Sequence, residues 1–171
     1  MKLIQHLCLD SLACNVQAGS KKHAMELLSQ LMAKCDPSCG SEEIFSALVE
    51  RERIGCTAMK GGIAMPHARL PNIEKPIGAL IQLQEAVDFD APDDEAVDLV
   101  FGLVVPADMP ESEANGFSNL MQRLRDPDLQ KKLREADTAQ ELLDAIAEGQ
   151  DLSPEEIGPE TQNEAMASSQ A

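Results

Sequence analysis

Val97-Asp98-Leu99-Val100-Phe101-Gly102-Leu103-Val104-Val105-Pro106 is an almost unbroken apolar run, relieved by Asp98 and Gly102 and closed by proline. Ten residues rich in valine, leucine and phenylalanine suit a strand covered on both faces, and such strands belong to sheets with helices on either side. Ile77–Leu83 reads as a second strand and Gly62–Met65 as a third. Between the first two lies Asp88-Phe89-Asp90-Ala91-Pro92-Asp93-Asp94, a turn-rich connection. It lacks the spacing, central glycine and terminal glutamate of a calcium loop.

The segments around these strands carry helical periodicity. Ala24, Leu27, Leu28, Leu31 and Met32 fall on one face behind a candidate N-cap at Ser20. A second helix is predicted from about Ser41 to Arg53, with Ile44, Ala47 and Leu48 facing inward. Arg51 continues that face: it either snorkels and complements the negative end of the helix dipole, or points into a site. Downstream, Ser112 is positioned to cap a helix with Ala114, Phe117, Leu120, Met121 and Leu124 inside. Asp126-Pro127 is an N-cap followed by proline at the first helical position. Thr138-Ala139-Gln140-Glu141 is a capping box. Helices flanking a buried sheet make a three-layer α/β/α domain over residues 1–148.

Charge narrows the function. Thirty acidic against 14 basic residues give a net −16, and the chain has no Trp or Tyr and four Phe. Phosphate backbones repel such a surface and no stacking platform is present, which argues against nucleic-acid binding. No apolar run approaches the roughly 18 residues of a membrane span. Gln5, His6 and Asp10 interrupt the first apolar stretch, so neither a signal peptide nor a lipidation site at Leu12-Ala13-Cys14 forms, and a cytoplasmic protein is expected. Five irregularly spaced cysteines agree, since a chain of 171 residues needs no disulfide staples. Cys35 and Cys39 permit a local disulfide or half a metal site, but no second pair completes a metal centre.

Lys60-Gly61-Gly62-Ile63-Ala64-Met65-Pro66-His67-Ala68-Arg69 reads as the reaction centre. Paired glycines permit tight turns and close backbone approach, and Pro66 restricts how His67 is presented. Imidazole is partly neutral near pH 7 and serves as a nucleophile without a strong base.

The ordered series Ser20-Lys21-Lys22, Arg51-Glu52-Arg53-Ile54-Gly55, Gly62-Ile63-Ala64-Met65-Pro66-His67, Asp88-Phe89-Asp90-Ala91, Val97-Asp98-Leu99-Val100 and Val104-Val105-Pro106-Ala107-Asp108 resembles the IIA component of the bacterial phosphoenolpyruvate-dependent phosphotransferase system. The likeness is to the fructose/mannitol class, nitrogen-regulatory branch (EIIA-Ntr), over roughly residues 3–148. It implies a mixed sheet of about five strands with helices on both faces. It also implies that His67 accepts a phosphoryl group from a small HPr-like phosphocarrier, and that Arg51 is the active-site arginine. In this branch phosphorylation state sets which regulatory partners are bound, and no metal or organic cofactor is required. Backbone N–H groups near Gly61, Gly62 and Ala68 would form an anion nest, with Arg69 as a second cation.

The departures matter too. The family usually carries a second active-site histidine where an ungapped comparison puts Glu113, and Ala68 replaces the usual glycine after the histidine. A carboxylate about 5 Å from a phosphate repels it by roughly 3 kcal/mol at an effective dielectric constant of 20, whereas one turned to solvent is simply a favourable acid in a helix's first turn. Two alternatives therefore stand beside the regulatory carrier: a phosphorylation-impaired protein-binding module, and a sugar-specific IIA component.

Residues 149–171 hold five acids, no base and few apolar anchors, the composition of a disordered tail. Truncation at Gly149 should leave the melting temperature within a few degrees of the full chain; a larger loss would show that the tail docks on the domain.

Overall fold

The computed structural model describes residues 3–110 and 116–148. Two short 3-10 turns, Leu3–His6 and Leu9–Ser11, lead into strand β1, Leu12–Val16. Helices α1 (Lys21–Cys35) and α2 (Ser41–Ile54) follow, then β2 (Ala58–Met59), β3 (Ile63–Ala64), β4 (His67–Leu70), β5 (Ile77–Val87) and β6 (Val97–Pro106). Helices α3 (Gly116–Leu124), α4 (Pro127–Glu135) and α5 (Ala139–Ala147) close the domain.

The six strands form one mixed sheet in the order β1-β5-β6-β3-β2, with β4 also paired to β6. β6 is the hub. It runs antiparallel to β5 and parallel to both β3 and β4, so three strands draw on its backbone. Its side chains alternate: Val100 and Val104 join one apolar cluster, while Leu99, Phe101 and Leu103 join another. The first cluster packs under α1 and α2, through Ala24, Leu28, Met32, Ile44 and Leu48. The second packs under the last three helices, through Leu120, Leu124, Leu133, Leu142 and Ile146. This is the three-layer arrangement expected from the sequence.

Gly102 shows why β6 carries a glycine. A Cβ there would lie 2.5 Å from Met32 Cε and 2.8 Å from Leu28 Cγ, so α1 rests on the bare backbone of the hub strand. Buried Gln82 of β5 ties the two ends of the sheet's far layer: its Nε2 donates to the carbonyls of Leu133 (2.7 Å) and Ala136 (2.8 Å) at the end of α4. Its Oε1 accepts from the N–H of Asn15 in β1.

Local signals mostly land where the sequence puts them. Ser20 accepts from His23 N–H, and Asp126 caps α4 with Pro127 as its first residue. Thr138 accepts from Glu141 N–H, but the return bond of the box runs from Asp137 N–H to Glu141 Oε2, one residue earlier than expected. On α1 the buried face includes Met25 and Ser29, while Leu27 and Leu31 are only half-buried. Ser112, Glu113, Ala114 and the tail 149–171 lie outside the described residues.

The cysteines correct the sequence reading. Cys8 and Cys35 are joined by a disulfide, with Cα atoms 6.6 Å apart. The turn before β1 delivers Cys8 beside the end of α1, a long-range approach that spacing does not reveal. Cys35 is therefore not half of a pair with Cys39, whose buried thiol faces Gly40 O and Glu43 and is pushed up to about 11 by burial and the adjacent carboxylate. No helix of the described residues is long and apolar enough to cross a membrane.

Gly102→Ala should destabilise the domain by roughly 1–3 kcal/mol through overpacking against α1. Chemical denaturation will check this; a variant as stable as the parent would mean that α1 shifts freely on the sheet.

Candidate functional site

Pro66 and His67 stand where the β2–β3 hairpin hands the chain to β4. Pro66 O accepts from Leu103 N–H at 3.0 Å, and His67 pairs with Leu103 across the parallel ladder. The hub strand thus fixes the backbone on which the imidazole is mounted. His67 Nδ1 lies 2.9 Å from the carbonyl oxygen of Met65. A carbonyl accepts only, so Nδ1 carries the proton and the ring's basic lone pair resides on Nε2.

His67 lines an open cavity of about 660 Å³ between the end of α2, β4 and the segment after β6. Among the described residues its apolar walls are Ala47, Leu103, Val105 and Met109, and its charged groups are Arg51, Arg53, Arg69 and Glu50. Ile54 stands at the rim with 83% of its surface exposed. In a chain of net charge −16, an apolar hollow with three guanidinium groups against the one carboxylate of Glu50 among its described lining residues suits an anion carried on an apolar partner surface.

The arginines have separate local roles. Arg51 Nη1 donates to Gly55 O at 3.0 Å, completing a carbonyl at the end of its own helix, and the same side chain borders the cavity. Arg51 thus serves the helix end while bordering the cavity. Arg53 pairs with Glu50 at 2.9 Å, both well exposed. Arg69 donates to Ala107 O and Met109 O, tethering the segment beyond β6 to β4.

Ala68 lines the cavity beside His67. Gly61 and Gly62 do not. They take φ of 94° and 78° in the turn between β2 and β3, a conformation that favours glycine. Gly61 N–H donates to the Asp93 carboxylate at 3.0 Å, and Gly61 O accepts from Arg134. A donor already given to a carboxylate is not an anion nest, so the paired glycines serve the turn.

Burial lowers the His67 pKa below its ordinary 6.5; the Met65 hydrogen bond works upward, Arg51 downward and Glu52 upward. Glu52 and Lys21 are the residues that sequence reasoning quoted without giving them work. Lys21 Nζ lies 2.8 Å from Glu52 Oε1, and the Glu52 side chain is only 7% exposed. Glu52 also accepts from Thr57 N–H (3.0 Å) and Thr57 Oγ1 (2.6 Å). A lysine in the first turn of α1 works against the helix dipole, and that misfit was the available signal.

The profile for the phosphoenolpyruvate-dependent sugar phosphotransferase system, EIIA 2, matches residues 6–149. The chain belongs to this family. It is 38% identical over 136 residues to the nitrogen regulatory protein of Pseudomonas aeruginosa, covering 80% of this chain and 88% of that one. It is 32% identical over 140 residues to the fructose-specific EIIA component of Haloferax volcanii, covering 82% of this chain and 91% of its relative. Nitrogen regulatory protein IIA-Ntr from Neisseria meningitidis superposes with a TM-score of 0.77 at 29% identity, over 83% of this chain and 97% of that structure. The resemblance read from the ordered motifs is borne out, as is the mixed sheet between helical layers.

His67 should titrate below 6.5, where burial and Arg51 place it. Arg51→Ala should move the midpoint upward, because the imidazolium then loses a neighbouring like charge. Ring-proton NMR across pH 4–8 will follow both; a wild-type midpoint at or above 6.5, or no movement in the variant, would contradict this account.

Proposed function

We propose that this protein is a regulatory phosphoryl carrier. In this reading His67 accepts a phosphoryl group from an HPr-like phosphocarrier protein, and its phosphorylation state selects protein partners. The observation that carries the proposal is the imidazole with Nδ1 given to Met65 O, standing in an arginine-lined cavity. Phosphoryl transfer asks alignment and charge stabilisation of a protein more than covalent machinery. Nε2 attacks phosphorus in line; the bond to the donor's leaving atom breaks as the N–P bond forms, and the leaving atom departs with the electron pair. Arg51 supplies its guanidinium fork to the phosphoryl oxygens. Neutral imidazole is the form that attacks, and the lowered pKa of His67 keeps it neutral at pH 7.

The apolar rim, with Ile54 foremost, is the surface on which the phosphocarrier docks. Regulatory output follows from similarity to the nitrogen regulatory proteins; the likeness to a fructose-specific component supports delivery to a sugar system as the second reading. The same reading places the protein in the cytoplasm with the donor relay, where reducing thiols act on the Cys8–Cys35 bond. By ungapped comparison Glu113 falls where the family has its second histidine; facing the site, its charge would slow formation of the phospho-form or shorten its life, and turned to solvent it would leave the site ordinary.

Incubation with phosphoenolpyruvate and a purified carrier relay should add one phosphoryl mass to the wild-type chain. His67→Ala should abolish the gain, Arg51→Ala should slow it with little loss of stability, and Glu113→His should raise the steady-state fraction. Equal labelling of wild type and Glu113→His would mean that the acid is indifferent. No labelling with an active relay would leave the protein-binding module as the function.

A further inference from the structure

We infer that Lys21, Glu52 and Thr57 form a positioning relay that sets the orientation and tautomer of His67 through the backbone of Met65. The inference rests on His67 being the phosphoryl acceptor. The contacts run without a break. Lys21 Nζ meets Glu52 Oε1 at 2.8 Å, and Glu52 takes both the N–H and the hydroxyl of Thr57. Thr57 O accepts from Met65 N–H at 3.1 Å, and Met65 O faces His67 Nδ1 at 2.9 Å. The residue whose carbonyl fixes the imidazole is therefore anchored from the α2 side by Glu52. From the other side, Pro66 O is anchored to β6 through Leu103 N–H.

Stability alone is a poor account of this arrangement. A carboxylate 7% exposed costs desolvation, which Lys21 and Thr57 offset. Burial works to raise the Glu52 pKa, yet the hydrogen bonds and the charge of Lys21 bring it below the carboxylate norm, so Glu52 is ionised at neutral pH. Lys21 sits in the first turn of α1, where a cation is disfavoured by the helix dipole. Its Nζ also approaches Phe89 O at 3.4 Å and lies over the Phe89 ring, so it is clamped rather than free to snorkel. The charge of Glu52 also reaches His67, opposing Arg51. Helix α2 thus presents a cation and an anion in succession: Arg51 borders the cavity, while Glu52 turns to Thr57, whose carbonyl takes the Met65 N–H.

The test uses the full chain with nitrogen-15-labelled histidine and single-turnover labelling by the phosphorylated carrier. Wild type should hold His67 in the Nδ1–H tautomer at pH 7.5. Thr57→Val, which keeps shape and removes the hydroxyl, and Glu52→Gln, which removes the charge, should mix the tautomers. Both should slow labelling at saturating carrier by roughly tenfold or more, as expected when a reacting group is slightly misplaced. The carrier concentration at half-maximal rate should hold within about twofold, because the docking rim is untouched. Thr57→Ser should restore tautomer and rate together. Folded variants with the wild-type tautomer and rate would overturn the relay. Should Thr57→Val fail to fold, Lys21→Met is read by the same two measurements. If wild type itself is not labelled, the acceptor reading fails, and the tautomer spectra still decide whether the relay holds the ring.

Discussion

Everything in this domain leans on a strand buried on both faces. β6 accepts β5 on one side and both β3 and β4 on the other, so its backbone is shared among three partners. Its two faces feed two separate apolar clusters, and each cluster recruits its own layer of helices. Gly102 removes the side chain where α1 crosses, bringing Leu28 and Met32 against the ladder itself. The site inherits this rigidity: His67 is in register with Leu103, one residue from that crossing.

The chemistry is assembled where the hub strand meets the end of α2. A helix C-terminus carries partial negative charge and unsatisfied carbonyls, so an arginine there has a local partner before any ligand arrives. Arg51 holds Gly55 O in that way. In the proposed carrier, an incoming phosphoryl group offers the same guanidinium a full anion in place of a carbonyl dipole, and charge-assisted bonds are the stronger kind. The bond to Gly55 O keeps Arg51 at the cavity edge.

The fold was legible because its deciding signals are local and periodic: the run ending at Pro106, the caps at Ser20, Asp126 and Thr138, and the alternation of helices around strands. β1 was not read, since Leu12–Val16 is five residues long, contains Asn15 at positive φ, and is a strand only through parallel pairing with β5. His67 stands out in the sequence, but its place at the start of β4 depends on the ladder to β6 rather than on local pattern. The glycine pair gave a true backbone signal and a false ligand: positive φ serves the turn, with Asp93 and Arg134 filling the polar groups. Cys8 with Cys35 and Lys21 with Glu52 are long-range partners, and neither spacing nor periodicity encodes such pairs.

Adjacent residues of α2 illustrate how one helical turn serves two purposes. Side chains at successive positions project about 100° apart, so Arg51 and Glu52 cannot share a direction. The arginine borders the cavity and the glutamate reaches Thr57, which begins the connection to β2. The two opposite charges then act on His67 in opposite senses, Arg51 favouring the neutral ring and Glu52 the charged one. Burial tips the balance to neutral, the state that a nucleophilic imidazole needs. The Met65 carbonyl meets Nδ1, and Glu52 holds Thr57, whose own carbonyl takes the Met65 N–H, so the mounting of the ring is tied to α2 as well as to β6.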